Sequence, residues 1–401
     1  MLKLVTLFFI SLSLENLLKE ASENNPEILS VKNEYEAYIL KITPAKVPPD
    51  PVISISGRNG DDSIMGAFSL SIGQMIPYPQ KLYLSSYIAE RNAAMKFEEL
   101  RDTRITVLSE LSKTYFEYSY MHSLFQIMSE IKNLYESISK IIAANYSVGK
   151  ATLSELTRVL VKIGEVQAEL NHIPHEIEAA KAKINYLLGK DVKSELSIPD
   201  LLPVPKNLNL VTEAESEVGK TPKILISKIQ NEVKKLERKF AEAEYYPDFS
   251  VKLGGMYSRS GSIGFETMIG VSLPVYSKWK QSKKVSSKEY EQKSAEFSVS
   301  KITLETESML REHIAHLHSL FENIKVYEET LTNAAVSVES TLSQWTTGRL
   351  TLTDALDTIR EYLEVKIKFE KEKKDFWQAS AEIVKIAGLD PLEVFKEVRM
   401  Q

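Results

Sequence analysis

Tyr146-Ser147-Val148-Gly149, followed shortly by Thr152-Leu153-Ser154-Glu155, recurs later as Trp345-Thr346-Thr347-Gly348 and Thr351-Leu352-Thr353-Asp354. In both copies a glycine able to adopt a left-handed conformation closes one helix, and a threonine with an acid three residues on opens the next as a capping box. The chain therefore reverses between two helices twice, at an offset of about 199 residues. Upstream of each turn lies a segment almost free of helix breakers, residues 82–146 and 278–345. Each would extend on the order of 100 Å as a helix at 1.5 Å per residue, far beyond an ordinary globular helix. Downstream of each turn the pattern predicts a return helix.

Outward from the turns the correspondence continues. Asn25-Pro26-Glu27-Ile28-Leu29 is matched by Thr221-Pro222-Lys223-Ile224-Leu225, and Asp50-Pro51-Val52-Ile53-Ser54 by Tyr246-Pro247-Asp248-Phe249-Ser250. Pro77 pairs with Pro274 and Gly189 with Gly388, so one architecture is used twice, with too long a period for a solenoid. The organisation predicted is a signal segment at 1–13, a first repeat at 14–190, an irregular proline-bearing connection at 191–221 and a second repeat at 222–401. The hairpins fall near 51–77 and 247–274, and the helical turns near 146–152 and 345–351. Pro174 has no counterpart at Lys373, which predicts a kink in the first return helix only.

Each repeat opens with a modest helix and then changes period. Phe68, Leu70 and Ile72 interleave with Ser69, Ser71 and Gly73, while Phe249, Val251 and Leu253 interleave with Ser250, Lys252 and Gly254. Thr267, Ile269 and Val271 interleave in turn with Glu266, Met268 and Gly270. Alternation of this kind gives strands with one apolar face. The turns Arg58-Asn59-Gly60-Asp61-Asp62 and Arg259-Ser260-Gly261-Ser262 join them into two hairpins. Four strands cannot close a barrel, since even the smallest needs about eight. Two arrangements remain open on pattern alone: apolar positions on lipid with polar positions lining a lumen, or soluble hairpins packed on helices.

Composition narrows the function. Lys+Arg number 50 against Asp+Glu 55, a net charge of -5 with no basic excess for nucleic acid. The absence of cysteine excludes disulfides, thiolate metal sites, a cysteine nucleophile and a cysteine-borne lipid anchor. The run Leu4 to Leu12 after Lys3 is too short to span a bilayer as a helix and resembles a short secretory signal ending at Ser11-Leu12-Ser13, the alternative being an N-terminal element packed in a core.

Taken together, the Asn25-Pro26-Glu27 opening, the duplicated plan, the strand exits at Pro77 and Pro274 and the paired turns resemble the TolC-type outer-membrane efflux family over essentially the whole chain. The resemblance implies a mainly α-helical fold with a membrane β-barrel portion. Three chains would share a twelve-stranded barrel and a hollow periplasmic α-helical barrel. It implies an exit duct of a tripartite efflux system, served by a periplasmic membrane-fusion adaptor and an inner-membrane pump of the RND or ABC type, with outer-membrane lipid around it. A type I protein-secretion exit and a heavy-metal efflux component are alternatives within the class, and a soluble coiled-coil scaffold lies outside it.

Chemistry-bearing clusters are sparse. His313, His316 and His318 do not converge on one helix face, His318 lying about 140° round from His313, and His172 and His175 form no zinc motif. No phosphate loop, nucleophile elbow or His-Glu-x-x-His sequence is present, so neither an enzyme, a cofactor nor a metal is expected. Asp354 and Asp357 share a helix face; capping accounts for Asp354 but not for Asp357. The resemblance assigns this pair to a periplasmic gate where threefold symmetry multiplies the charges, with Ser154, Glu155, Trp345 and Arg349 beside it. It places adaptor docking at Val148, Gly149, Leu153, Gly348 and Leu352. Relatives often carry a gate arginine two residues after the glycine; here Leu350 stands there and Arg349 is adjacent, which implies a rearranged latch.

Overall fold

The computed structural model of the chain describes residues 13–58, 67–257 and 262–396. Of the expected signal segment at 1–13 only Ser13 is among the described residues, and much of both hairpin turns lies outside them. Two compact units emerge, neither of which is a sequence repeat. One comprises Met1–Leu29, Asp102–Thr221 and Thr306–Gln401; the other comprises Ser30–Arg101 and Pro222–Glu305. Each unit therefore draws on both repeats.

The second unit holds an antiparallel sheet of β1 (Val52–Arg58), β2 (Ala67–Ile76), β3 (Asp248–Tyr257) and β4 (Ile263–Ser272) in the order β1-β2-β3-β4. The β2–β3 pairing joins the repeats, with Leu70 opposite Gly255 and Ile72 opposite Leu253. Register and alternation together sort the side chains. Ile53, Phe68, Leu70, Ile72, Val251, Leu253 and Ile269 share one face, while Ser54, Ser69, Ser71, Lys252, Gly254, Glu266 and Gly270 share the other. The second face is crowded as well as polar: a Cβ on Gly254 would stand 2.9 Å from the Ser71 Cβ, and one on Gly270 would stand 2.5 Å from the Ser250 Oγ. The apolar face is bare, with Phe265 91% and Ile269 73% exposed.

One ion pair fixes the exit from this sheet. Asp248 accepts the backbone N–H of Tyr78 at 2.8 Å and the ammonium of Lys81 at 2.8 Å, while the Tyr78 and Tyr246 rings stack at 4.5 Å. The two tyrosines thereby bind the ends of β2 and β3 together.

The first unit is helical. It contains α1 (Leu14–Asn24), the distal part of α3 (Pro79–Ser147), α4 (Leu153–Leu187), α5 (Asn209–Glu217), the distal part of α7 (Gln281–Thr346), α8 (Leu352–Ala387) and the short α9 (Pro391–Val394). The remaining helices, α2 (Pro26–Leu40) and α6 (Pro222–Ala243), precede the strands of their respective repeats. On α3, Met128, Ile131, Tyr135, Ile138 and Ile142 pack against Leu156, Val159, Ile163, Val166, Leu170, Ile173 and Ile177 of α4. These residues alternate steps of three and four, the seam of a left-handed coiled coil. α4 runs unbroken across Pro174, and the seam continues through it from Ile173 to Ile177.

The connection at 191–221 contains α5 as well as irregular chain. Its extended stretch would leave backbone groups unpaired against the helices, and side chains meet that demand. Ser119 donates to the Asp200 carbonyl at 2.6 Å, Lys373 to that of Leu202 at 3.2 Å and Trp377 to that of Pro203 at 3.0 Å. The Tyr115 hydroxyl accepts the Asp200 N–H at 3.2 Å. Lys373, at the position equivalent to Pro174, thus serves as a clamp on the connection.

Candidate functional site

Both helical turns belong to the first unit and are built alike. Gly149 (φ 77°) and Gly348 (φ 74°) occupy the left-handed position after α3 and α7. Lys150 N–H donates to Asn145 and Gly149 N–H to Tyr146; Arg349 and Gly348 repeat this with Gln344 and Trp345. This double closure satisfies the last carbonyls of each long helix. The return helices open on capping boxes. The Glu155 N–H donates to the Thr152 Oγ1 at 3.2 Å while its carboxylate takes the Thr152 N–H at 2.7 Å. Asp354 and Thr351 do the same at 3.2 and 3.0 Å.

The boxes set the acids' protonation. Bonds from the Thr152 backbone and side chain hold the Glu155 carboxyl below the ordinary range. The Thr351 side chain, then its backbone, does so for Asp354. Asp354 is spent on the cap yet stays ionised and exposed.

Asp357 has a different setting. It stands exposed one turn deeper, with the Arg360 guanidinium at 3.6 Å. Across the two hairpins Arg158 donates to the Thr353 Oγ1 at 2.5 Å. Neither arginine was indicated by the turn sequences, although both stand three residues beyond an acid and the offset of the repeats sets Arg158 at the place of Asp357. Arg349 and Ser154 are exposed, and Trp345 is half-buried against the seam of the hairpins.

The docking residues divide. Val148 and Leu153 are 66% and 59% exposed, but Leu352, the counterpart of Leu153, is 4% exposed and packs with Leu356 and Ile359 in the helical core. Among the described residues no group of His, Asp and Glu is arranged to hold a metal ion, and no helix is long and apolar enough to cross a membrane.

Residues 17–190, within the first repeat expected at 14–190, match the sequence model of the family described as Outer membrane efflux protein. By that match the chain resembles the family over 174 of its 401 residues. No curated protein sequence is a significant match to it, whereas solved outer-membrane channels share its fold. The outer-membrane protein VceC of Vibrio cholerae is 14% identical with a TM-score of 0.78, over 94% of this chain and 96% of that one. The CmeC channel of Campylobacter jejuni is 13% identical with a TM-score of 0.77, over 97% and 90%. The MtrE channel of Neisseria gonorrhoeae, in its open state, is 12% identical with a TM-score of 0.79, over 94% and 89%. The likeness to these channels shows the fold.

Proposed function

We propose that three copies of this chain form one passive duct, each giving its four strands to a twelve-stranded barrel and its long helices to a helical barrel. The observation that carries this is the sheet itself. Among the described residues, the outer edges of β1 and β4 have no strand partner, and one face is apolar and bare. An isolated sheet of that kind is unstable in water, and closure with lipid outside removes both costs. The crowded face of serines and glycines suits the inside of the curve, towards a lumen. Residues 14–190 and 222–401 act as the two repeats, joined by 191–221.

The helical turns form the gate and the docking tip. Asp354, Asp357, Ser154, Glu155, Trp345 and Arg349 border the aperture, and Arg158 to Thr353 is a contact whose breakage would let neighbouring hairpins separate. A relative described in an open state supports such movement. Val148, Gly149 and Gly348 face the adaptor, and the buried Leu352 holds the second turn from inside. Leu153 lies bare where Leu352 is buried, so the neighbouring chain supplies the missing cover for the first hairpin. An adaptor and an energised inner-membrane pump drive transport, and the duct performs no chemistry.

Cysteine labelling tests the barrel, because the chain has no cysteine of its own. Ser69→Cys and Glu266→Cys should react with a water-soluble thiol reagent in reconstituted protein, and Leu70→Cys and Ile269→Cys should not. Equal reaction at Leu70 and Ser69 would defeat the lumen assignment, as would a monodisperse monomer by light scattering in mild detergent.

A further inference from the structure

Between β4 and α7, Leu273-Pro274-Val275-Tyr276-Ser277-Lys278-Trp279-Lys280 winds in successive turns. The Trp279 and Lys280 N–H groups donate to the Tyr276 carbonyl at 3.0 and 2.9 Å, and that of Ser282 donates to Ser277 at 2.9 Å. This winding sets Tyr276, Trp279, Lys280 and Lys283 on one side at helical spacing. Side chains that normally seek burial stand outside: Leu273 is 64%, Val275 71%, Tyr276 67% and Trp279 74% exposed. Four exposed lysines, Lys278, Lys280, Lys283 and Lys284, stand among them. Glu244 takes Lys284 at 2.5 Å, and among the described residues no ion pair engages the other three.

The turn geometry does not require this charge. The matching segment of the first repeat, Pro77-Tyr78-Pro79-Gln80-Lys81, has one lysine, which Asp248 and the Tyr246 carbonyl already hold at 2.8 and 3.0 Å. Beside the lysines lies a cavity of about 840 Å³ lined by Pro49, Tyr276, Lys280 and Lys284, with the carboxylates of Asp50, Glu244 and Asp248 also in its wall. Bare indole and phenol rings next to unpaired ammonium groups suit one environment: the headgroup level of a bilayer, where rings sit against acyl chains and lysine stems reach up to phosphate. An anionic leaflet would add attraction for each lysine.

We propose that this segment binds anionic phospholipid headgroups where the sheet gives way to the helices. Tyr276 and Trp279 seat in the upper acyl region, and Lys278, Lys280 and Lys283 engage phosphates. The assignment rests on the proposed closure of the sheet into a lipid-facing barrel and adds the lipid class to it.

Full-length protein reconstituted in lipid nanodiscs tests it, with brominated phosphatidylglycerol or brominated phosphatidylcholine as the probe. The quenching present in wild type and lost in Trp279→Phe reports on Trp279 alone. Phosphatidylglycerol should quench at a mole fraction about five-fold or more below that needed for phosphatidylcholine. The preference should shrink with added salt and vanish in Lys278→Gln/Lys280→Gln/Lys283→Gln but not in Lys284→Gln. Equal quenching by both lipids, or a preference the triple variant keeps, overturns the lipid-class assignment while leaving the segment in the membrane. A preference seen only on adding lipopolysaccharide overturns the phospholipid source. No quenching by either lipid overturns the membrane placement and this proposal together.

Discussion

Asn25 donates its side-chain amide to the carbonyl of Leu187 at 2.7 Å, joining the start of the first repeat to the end of its return helix across 162 positions of sequence. The same side chain caps α2, its Oδ1 accepting from the N–H groups of Glu27 at 2.9 Å and Ile28 at 3.1 Å. Its backbone N–H also closes α1 on Ala21 at 3.0 Å.

A contrast between the repeats follows from that relationship. Thr221 replaces Asn25 in the second repeat and is equally buried, but its Oγ1 has no hydrogen-bond partner. We predict that Asn25→Ala costs about 2 to 4 kcal/mol, through a lost cap and orphaned buried groups. Thr221→Val should be neutral or slightly stabilising, because it removes an unpaired buried hydroxyl. Denaturant unfolding in detergent checks both. Equal losses would mean the proline-preceding position matters for backbone geometry alone.

Three of the left-handed glycines, Gly149, Gly189 and Gly348, should separate in the same assay. Gly149 and Gly348 have open space where a Cβ would lie, so alanine there pays only the conformational cost of about 1 to 2 kcal/mol. Gly189 (φ 70°) would also bring its Cβ to 2.7 Å from the Asn24 carbonyl oxygen, backbone that cannot swing aside. Gly189→Ala is predicted to be the most harmful of the three by at least about 1 kcal/mol. A ranking with Gly149→Ala lowest in stability would contradict the geometry.

Much of this was legible beforehand, and for physical reasons. Breaker-free length, glycine closure and a threonine-acid spacing are local signals, so the long helices, both turns and both capping boxes could be read directly. Strict alternation likewise fixed the sheet faces, and the observed register keeps Leu70 and Ser69 on opposite sides. What could not be read depends on the third dimension. The Arg158 to Thr353 bond spans 195 positions, and Leu352 is buried in a core drawn from both hairpins while its counterpart Leu153 is exposed. The helix α5 inside the connection was obscured by the prolines that precede it. Pro174, where a kink was expected, lies inside a helix that continues from Leu153 to Leu187 with its heptad seam on either side.

The capping boxes give a signed pH dependence. Depressed folded pKa values for Glu155 and Asp354 mean that their contribution is present above the unfolded carboxylate range, near 4, and is lost as pH falls through the lower folded values. Thr351→Val, which removes the largest cause for Asp354, should therefore lower the melting temperature more at pH 7 than at pH 2. A deficit of the same size at both pH values would show that Thr351 acts by packing rather than through the carboxylate.

The aperture offers the sharpest test of the gate assignment. Asp357 alone would attract cations, but Arg360 at 3.6 Å opposes it, and the repeat sets Arg158 at the place equivalent to Asp357. Both partners of the Asp357 pair are more than half exposed, so the pair adds little stability. Its effect on a passing ion is separate, since unit charges at about 4 Å exchange about 1 kcal/mol even in bulk water and more in a confined lumen. We predict that a trivalent cation added from the helical end blocks conductance in planar bilayers, and that Asp357→Asn weakens block about five-fold or more. Arg360→Gln should strengthen it by a similar factor. Asp354→Asn should shift block less, its oxygens being held by Thr351, while measurably weakening the helix start. Arg158→Gln removes the bond to Thr353 and should raise the fraction of time spent open without changing the order of block among the acidic variants. Block that responds to none of Asp357, Arg360 and Asp354 would remove these residues from the aperture and leave the arrangement of strands and helices untouched.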